Sequence, residues 1–401
     1  ERISVVLDHV RKLMDKSTNH DYMLIHCYKM VLRLALVLIE ANKSIKVCVD
    51  MITAILKRIK DSTIAIPEVS YALLADLFAK SGTLDSELIN SVFTCLLQSR
   101  QQMPINPSYF TLLNILVNQE LFANQPLHLS IVVSCISNYG VQVTDGDKDV
   151  ISKIPKLIEE IHRWAHGKPE ERLERPWLDA YISALQSLSI LSARGCKSLR
   201  NISLSTLQRI LISLVDTYPG TPGSLLLLVV HRCVFTLLDE LLAALERRQS
   251  LKKRSGFFSN YEDDSMGLVQ TNMDLSSLDE IQFRACHLLA KIFLHYLPMV
   301  SGLEQFVTLW NRILSYMAKY LQVGGDLLQE SLPELVKNMV RVMNNNKCFK
   351  EKPYLWENVE KELGRIVPQL IHELQDEIII HAPIDVQNGG GNDGQSTSGS
   401  N

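Results

Sequence analysis

No sign of charge dominates this chain: 41 Lys plus Arg stand against 44 Asp plus Glu, a formal charge of −3. Near-neutrality argues against a partner held mainly by charge, nucleic acid above all. Paired cysteines are missing as well. Cys27, Cys48, Cys95, Cys135, Cys196, Cys233, Cys286 and Cys348 are scattered, and no two form a C-x-x-C motif. Most sit among apolar residues in helix-like windows, which excludes a disulfide framework and reads as buried thiols of a reducing compartment. Long hydrophobic runs are absent too. The most continuous are Val31 to Ile39, interrupted by Arg33, and Leu225 to Val230, followed by His231 and Arg232. Both fall short of the ~20 residues that a membrane span needs. There is no signal peptide and no initiating Met; the chain opens at Glu1 inside a helical pattern, which reads as a fragment of a larger protein.

Catalytic signatures are equally scarce. Gly220-Thr-Pro-Gly223 lacks the lysine and the preceding strand of a phosphate loop. No G-x-S-x-G elbow occurs, and His372-Glu373 has no second histidine to complete a zinc motif. His162 and His166 stand four apart on one predicted helix, a spacing that brings two imidazoles to one metal. No third ligand is evident, and His166, just before Gly167, suits the negative end of a helix dipole. No catalytic residue, cofactor-binding residue or metal ligand is therefore assigned, and no cofactor is expected.

What the sequence does have is helical periodicity. From Ser44 to Lys60, Ile45, Cys48, Val49, Ile52, Ile55, Leu56 and Ile59 recur at steps of three and four, with Lys46, Asp50, Thr53, Lys57 and Lys60 largely opposite. Leu328, Leu332, Leu335, Val336, Met339 and Met343 repeat the stripe. Asp21 to Ala41 is apolar on more faces, as in a helix covered on two sides. Breakers such as Pro67, Gly82, Pro104, Pro126, Gly140, Gly167, Pro219, Pro298, Gly324 and Pro353 separate helical windows of roughly 12–22 residues. Ser277-Leu-Asp-Glu280 and Ser331-Leu-Pro-Glu334 fit capping boxes at helix starts. No alternating strand pattern appears.

Two helices per ~40 residues is the period of HEAT or armadillo arrays, in which each hairpin buries its stripe only by stacking on its neighbours. The expected fold is all-α: one HEAT/armadillo-like α-solenoid over residues 1–381, with sub-blocks 1–166, 176–249 and 276–381. The rival architecture is an irregular helical bundle. A mobile loop is expected at 250–276 and a disordered tail at 382–401, which is rich in Gly, Asn, Ser and Thr. In that loop, Lys252, Lys253, Arg254, Phe257 and Phe258 form the candidate contact with a membrane or partner: cations near lipid phosphate, rings entering the interface. The alternative is an ordinary solvated loop whose basic run offsets Glu262-Asp-Asp264. Trp164, Trp177, Trp310 and Trp356 are expected as core or inter-repeat anchors. Arg200 either pairs with a carboxylate of an adjacent repeat or is solvated.

The most distinctive run is Gln282 to Met343. It carries Arg284-Ala285, Leu288-Leu289, Lys291, Phe293-Leu294, Phe306, Leu309-Trp310, Ile313-Leu314, Met317 and Lys319-Tyr320, then Asp326-Leu327-Leu328, Glu330, Pro333-Glu334 and Lys337-Asn338-Met339, with Leu355-Trp356-Glu357 beyond. This order resembles the C-terminal region of the large Golgi-type Arf guanine-nucleotide exchange factors, the brefeldin-A-resistance and GNOM-like group. Trp177, Leu185, Leu188, Arg200, Leu204 and Leu207-Gln208-Arg209 extend the likeness upstream, as do Asp21 to Ile39 and Val69-Ser-Tyr-Ala-Leu73 within residues 1–82. Arg194 departs from it, standing where the group often has an acid.

The resemblance implies a region downstream of a Sec-seven-type domain, which frees GDP from Arf with an inserted glutamate. That domain's Phe-Arg-x-Pro-Gly-Glu-type motif is absent here. The fragment is then a non-catalytic regulatory and membrane-targeting scaffold, cytoplasmic and peripherally associated with Golgi membranes in vesicle traffic. The implied partners are Arf GTPase through the missing catalytic domain, Rab-type GTPases, Golgi membrane lipids and the rest of the parent chain; nucleic acid is not among them. The alternative is a generic HEAT-repeat adaptor in transport or cytoskeletal assembly.

Overall fold

The computed structural model describes residues 2–16, 21–41, 44–60, 68–81, 88–89, 91–92, 107–118, 126–166, 174–214, 223–255 and 275–377. Among them the regular structure is helical and no strand occurs. The helices are α1 (Arg2–Lys16), α2 (Asp21–Glu40), α3 (Lys46–Lys60), α4 (Glu68–Lys80), α5 (Pro107–Asn118), α6 (Pro126–Gln142), α7 (Lys148–His166), α8 (Arg175–Arg194) and α9 (Lys197–Ile212). After them come α10 (Gly223–Val229), a π-helical turn Val230–Val234, α11 (Phe235–Ser255), α12 (Leu275–Val300), α13 (Phe306–Val323), α14 (Asp326–Asn345), α15 (Cys348–Glu351), α16 (Tyr354–Leu363) and α17 (Pro368–Glu377).

The amphipathic stripes decide how these helices stack. In α7, Ile151, Ile154, Ile158, Ile161 and Ala165 are buried while Lys153, Lys156 and Arg163 are exposed. One partner cannot cover so broad a stripe. Each helix therefore packs on its sequence neighbour and on the helix two steps away. From α5 onward this gives two layers: α6, α8, α11, α13 and α16 in one, and α5, α7, α9, α12, α14 and α17 in the other. That is the α-solenoid expected from helix spacing. A contiguous apolar core runs along it from Val10 to Leu374.

The expected anchors are in that core. Trp177, Trp310 and Trp356 are buried and Trp164 packs against the core's edge. Trp310 stacks on Phe293 of α12 at 5.4 Å and donates Nε1–H to the Leu355 carbonyl of α16 at 3.4 Å, tying three helices together. Cys27, Cys48, Cys135, Cys233, Cys286 and Cys348 are buried free thiols and Cys196 is half-buried; Cys95 lies outside the described residues.

Several local expectations need correction. Ser331 does not cap a helix start: α14 begins at Asp326, and the Ser331 hydroxyl donates to the Leu327 carbonyl one turn back at 2.7 Å. Pro333 of that motif sits inside the helix. Ser277 likewise falls within α12, whose first residue is Leu275. Lys252, Lys253 and Arg254 belong to the last turns of α11 rather than to a loop, because Gly256 is the first breaker after Leu241. Against the expectation that the apolar stretches are too short for a membrane span, Tyr22–Glu40 is long and apolar enough to cross one by length and composition, with a mean hydropathy of 1.7. Leu24, Cys27, Tyr28, Val31, Leu32, Ala35 and Leu38 of that helix are nevertheless buried in the core, and α2 packs on α1, α3 and α4. The expected tail at 382–401 lies outside the described residues.

Gly140 is not a breaker but a contact point inside α6. A Cβ placed on it would lie 2.7 Å from Cδ2 of Leu191 in α8 and 3.4 Å from both Ile154 and Leu199. The missing side chain is what allows α6 and α8 to approach. Gly140→Val is expected to destabilise the chain by about 1–3 kcal/mol in urea unfolding, the usual cost of overpacking. Gly146→Val, whose nearest atom would be Thr144 Oγ1 at 3.6 Å, should leave the midpoint nearly unchanged; equal midpoints for the two variants would contradict this account.

Candidate functional site

The residues singled out in the sequence do not gather into one place. Phe257 and Phe258 lie outside the described residues, and for Lys252, Lys253 and Arg254 the helical backbone alone is described. His162 is buried in α7 with its ring 4.9 Å from the Tyr181 ring of α8, within the packing between helices. The side chain of His166 lies outside the described residues. Arg200 is buried, not solvated, and takes favourable electrostatics from Asp145 in the turn between α6 and α7. The same Asp145 accepts the Ser198 N–H at 2.9 Å and so caps the start of α9.

Two exposed faces carry the polar chemistry. The first follows α8, α11 and α13 and centres on the π turn. There the Phe235 N–H reaches back five residues to the Val230 carbonyl. The displaced carbonyl of Arg232 accepts from Gln186 Nε2 of α8 at 3.1 Å and from Thr236 Oγ1 at 2.9 Å. The turn aims His231 and Phe235 at α13. The Arg312 guanidinium sits 4.6 Å from the centre of the Phe235 ring and donates Nη1–H to His231 Nδ1 at 2.9 Å. An arginine cannot accept, so Nδ1 is the bare nitrogen of a neutral imidazole. Burial, then the nearby Arg312 charge, lowers the His231 pKa and keeps the ring in that form. Tyr316 stacks on Phe235 at 5.0 Å and donates to Asp239 Oδ1 at 2.6 Å. Its phenol is pushed up to about 12, first by burial and then by that carboxylate. Arg194 of α8 holds Glu240 of α11 in a two-pronged bond of 2.9 and 2.6 Å. The substitution noted at Arg194 thus has a structural partner in the next repeat.

This group was not foreseen, because a π turn leaves no mark on hydrophobic spacing. Its ionisable side chains satisfy one another across α8, α11 and α13, which is the work of a latch. A small pocket nearby is lined by Leu226, Val230, Leu289, Phe293, Tyr296 and Ile313. Among the described residues no group of His, Cys, Asp and Glu is placed to hold a metal ion.

The second face follows α7, α9 and α12. Arg209 of α9 grips Glu159 of α7 through bonds of 2.5 and 2.7 Å. Arg284 of α12 donates to Asn201 Oδ1 at 2.6 Å and to Ser205 Oγ at 2.9 Å on α9. Tyr296 of α12 donates to the Leu211 carbonyl at 2.6 Å. These contacts fix α9 and α12 side by side, running in the same direction.

Residues 181–370 match the family model described as "GBF1-like, tetratrico peptide repeat region". Among curated proteins, the chain is 33% identical over 104 residues to "Golgi-specific brefeldin A-resistance guanine nucleotide exchange factor 1 homolog" of Caenorhabditis elegans, covering 26% of this chain and 5% of that protein. It is 33% identical over 111 residues to "ARF guanine-nucleotide exchange factor GNOM" of Arabidopsis thaliana, covering 25% of this chain and 8% of that protein. The matched stretches are small parts of much longer relatives. A solved structure titled "Circular tandem repeat protein with novel repeat topology and enhanced subunit contact surfaces" aligns over 95% of this chain and 87% of its own length at 12% identity. Its TM-score of 0.37 is too loose to bear on how the helices are arranged.

The α7–α9 latch sets a pH test. Arg209 holds the Glu159 carboxyl below its ordinary value of 4.5, hydrogen bonding being the largest cause. A lowered carboxyl pKa stabilises the fold above the unfolded value, and that stabilisation is lost as pH falls through the folded one. Glu159→Gln is expected to cost up to about 1 kcal/mol at neutral pH, since Arg209 is half exposed. The gap from the parent chain should close on acidification through the carboxylate range. Urea unfolding at several pH values checks this, and a gap that does not change with pH would contradict it.

Proposed function

We propose, from a chain whose residues 181–370 form a GBF1-like helical-repeat region, that residues 1–381 act as a non-catalytic regulatory scaffold of an Arf guanine-nucleotide exchange factor. The observation that carries this reading is the solenoid itself. It stacks helix on helix through the matched region, and its polar side chains latch neighbouring helices. Exchange needs a residue that enters a nucleotide site; a rod of this kind offers surfaces to other molecules.

In the parent protein the rod places a separate exchange domain on Golgi membranes and sets its activity in vesicle traffic. Arf is the GTPase met by that domain. Rab-type GTPases, Golgi lipids and the rest of the parent chain are the molecules that the rod's faces meet. The relatives' printed names, one Golgi-specific and both exchange factors, support this assignment. The rival reading, a generic helical-repeat adaptor in transport or cytoskeletal assembly, shares the architecture but not those relatives.

Nucleotide exchange separates the possibilities. This chain alone, mixed with Arf loaded with fluorescent GDP, is expected to release nucleotide no faster than Arf alone. Removing residues 1–381 from the parent protein is expected to change its exchange rate or its Golgi recruitment. If neither changes, the scaffold reading fails.

Lys252, Lys253, Arg254, Phe257 and Phe258 supply the membrane contact within this proposal. Three cations at the end of α11 precede two aromatic side chains by a short step, matching the chemistry of an anionic interface. Phe257→Ser combined with Phe258→Ser is expected to reduce flotation of the chain with anionic liposomes. Unchanged flotation would remove these residues from the membrane role and leave the scaffold role standing.

A further inference from the structure

We propose that the outward faces of α7, α9 and α12 form a basic platform that binds an acidic protein segment. The starting point is a segregation of charge. The chain as a whole carries −3, yet α9 has no Asp or Glu anywhere from Lys197 to Ile212, and α12 has none from Ile281 to Val300. On α7, Glu159 is engaged by Arg209 and Glu160 by Arg163, the latter at 2.9 Å, which leaves Asp149 in the first turn as the exposed carboxylate of that helix without an ion pair among the described residues. Lys153, Lys156 and Lys291 are exposed, and no ion pair holds any of them among the described residues. Arg284 is anchored by the neutral oxygens of Asn201 and Ser205, which fix its position and leave its charge uncancelled.

The arrangement is built. α9 lies against both α7 and α12 in one layer. Cations from α7 and α12 therefore flank a strip of hydrogen-bonding side chains on α9, among them Ser205 and Gln208. An extended acidic segment needs that pattern: fixed positive charges spaced along a surface, with amide and hydroxyl groups between them for its backbone.

A lipid surface fits less well. Membrane docking adds protruding aromatic or large apolar side chains to the cations. Here the Phe283 ring lies against His287 at 4.2 Å and Tyr296 is buried. The largest apolar protrusions on the platform are Ile202 and Met299, at 39% and 38% exposure. The platform is thus distinct from the α11 end assigned above to the membrane.

The test uses the 401-residue chain and a fluorescein-labelled oligoglutamate peptide, followed by anisotropy. Binding is expected, weakening as salt is raised. Lys153→Glu, Lys156→Glu and Lys291→Glu combined should weaken it about tenfold or more, while Lys350→Glu, an exposed position on α15, should leave it unchanged. Circular dichroism checks the fold; if the triple variant loses helicity, Lys156→Glu and Lys291→Glu are read singly, each expected to cost about threefold. Full retention of binding by the platform variants, or equal loss with Lys350→Glu, overturns the proposal. So does a chain that ignores the peptide but floats with phosphatidylcholine vesicles containing phosphatidylserine through these lysines. The assay needs no GTPase, so its outcome is independent of the exchange-factor reading.

Discussion

Everything in this molecule depends on one constraint: each helix carries more apolar surface than any single partner can cover. α8 shows its strength. Trp177, Tyr181, Leu185, Leu188 and Leu191 are buried along it, and so are the polar residues Ser187, Ser189 and Ser192. A helix buried on so many sides must admit close neighbours, and its sequence answers with small side chains. Ala180, Ala184 and Ala193 leave room for α6, α7, α9 and α11, while Ser189 and Ser192 turn their hydroxyls back onto the Leu185 and Leu188 carbonyls at 3.1 and 2.7 Å. The core is therefore a continuous seam, and every repeat is stabilised by the ones before and after it.

Apolar burial has no direction, so something else must set the register. Buried donors do this by reaching for carbonyls one repeat away. Tyr320 of α13 donates to the Leu238 carbonyl of α11 at 2.8 Å, Gln282 of α12 to that of Leu241 at 3.3 Å, and Tyr296 to that of Leu211. A slip of one helix past another would leave such groups unpaired inside the core, at about 1–3 kcal/mol each. The exposed pairs, Arg194 with Glu240 and Arg209 with Glu159, add at most about 1 kcal/mol apiece. Their two-pronged geometry fixes orientation more than it adds stability.

These different forces explain which features could be seen in the sequence. Helix type, helix spacing and the solenoid follow from the period of stripes such as Ile45 to Ile59 and Leu328 to Met343, because burial acts on spacing alone. The buried tryptophans follow from the same logic. The start of α14 did not: Ser331-Leu-Pro-Glu334 has the letters of a cap, but a proline inside a helix costs less than ending a stripe that still has Val336, Met339 and Met343 to bury. Gly140 was misread for a related reason, since a helix breaker and a contact glycine look alike until the facing helix is known. The latch around Arg312 was invisible, because a π turn shifts the facing residues by one position and only the fold reveals that His231, Asp239 and Tyr316 meet. The basic face was hidden by the bulk composition, which averages the two sides of the rod.

The two polar faces therefore differ in kind. Along α8, α11 and α13, polar side chains meet partners on neighbouring helices: Arg194 has the Glu240 carboxylate, and Arg312 is shared among the neutral groups of His231, Phe235 and Tyr316. A partner approaching that ridge must break bonds that are already made and already partly desolvated, so the ridge favours neighbouring helices over outside molecules. Along α7, α9 and α12, no ion pair holds Lys153, Lys156 or Lys291 among the described residues, so a partner bringing carboxylates to them breaks none of the pairs described. Recognition by a rod of stacked helices is selective in this sense. The ridge along α8, α11 and α13 binds its polar groups to neighbouring helices and holds the repeats in order, while the face along α7, α9 and α12 adds to its own pairs lysines that no described ion pair holds, and these are what it offers to another molecule.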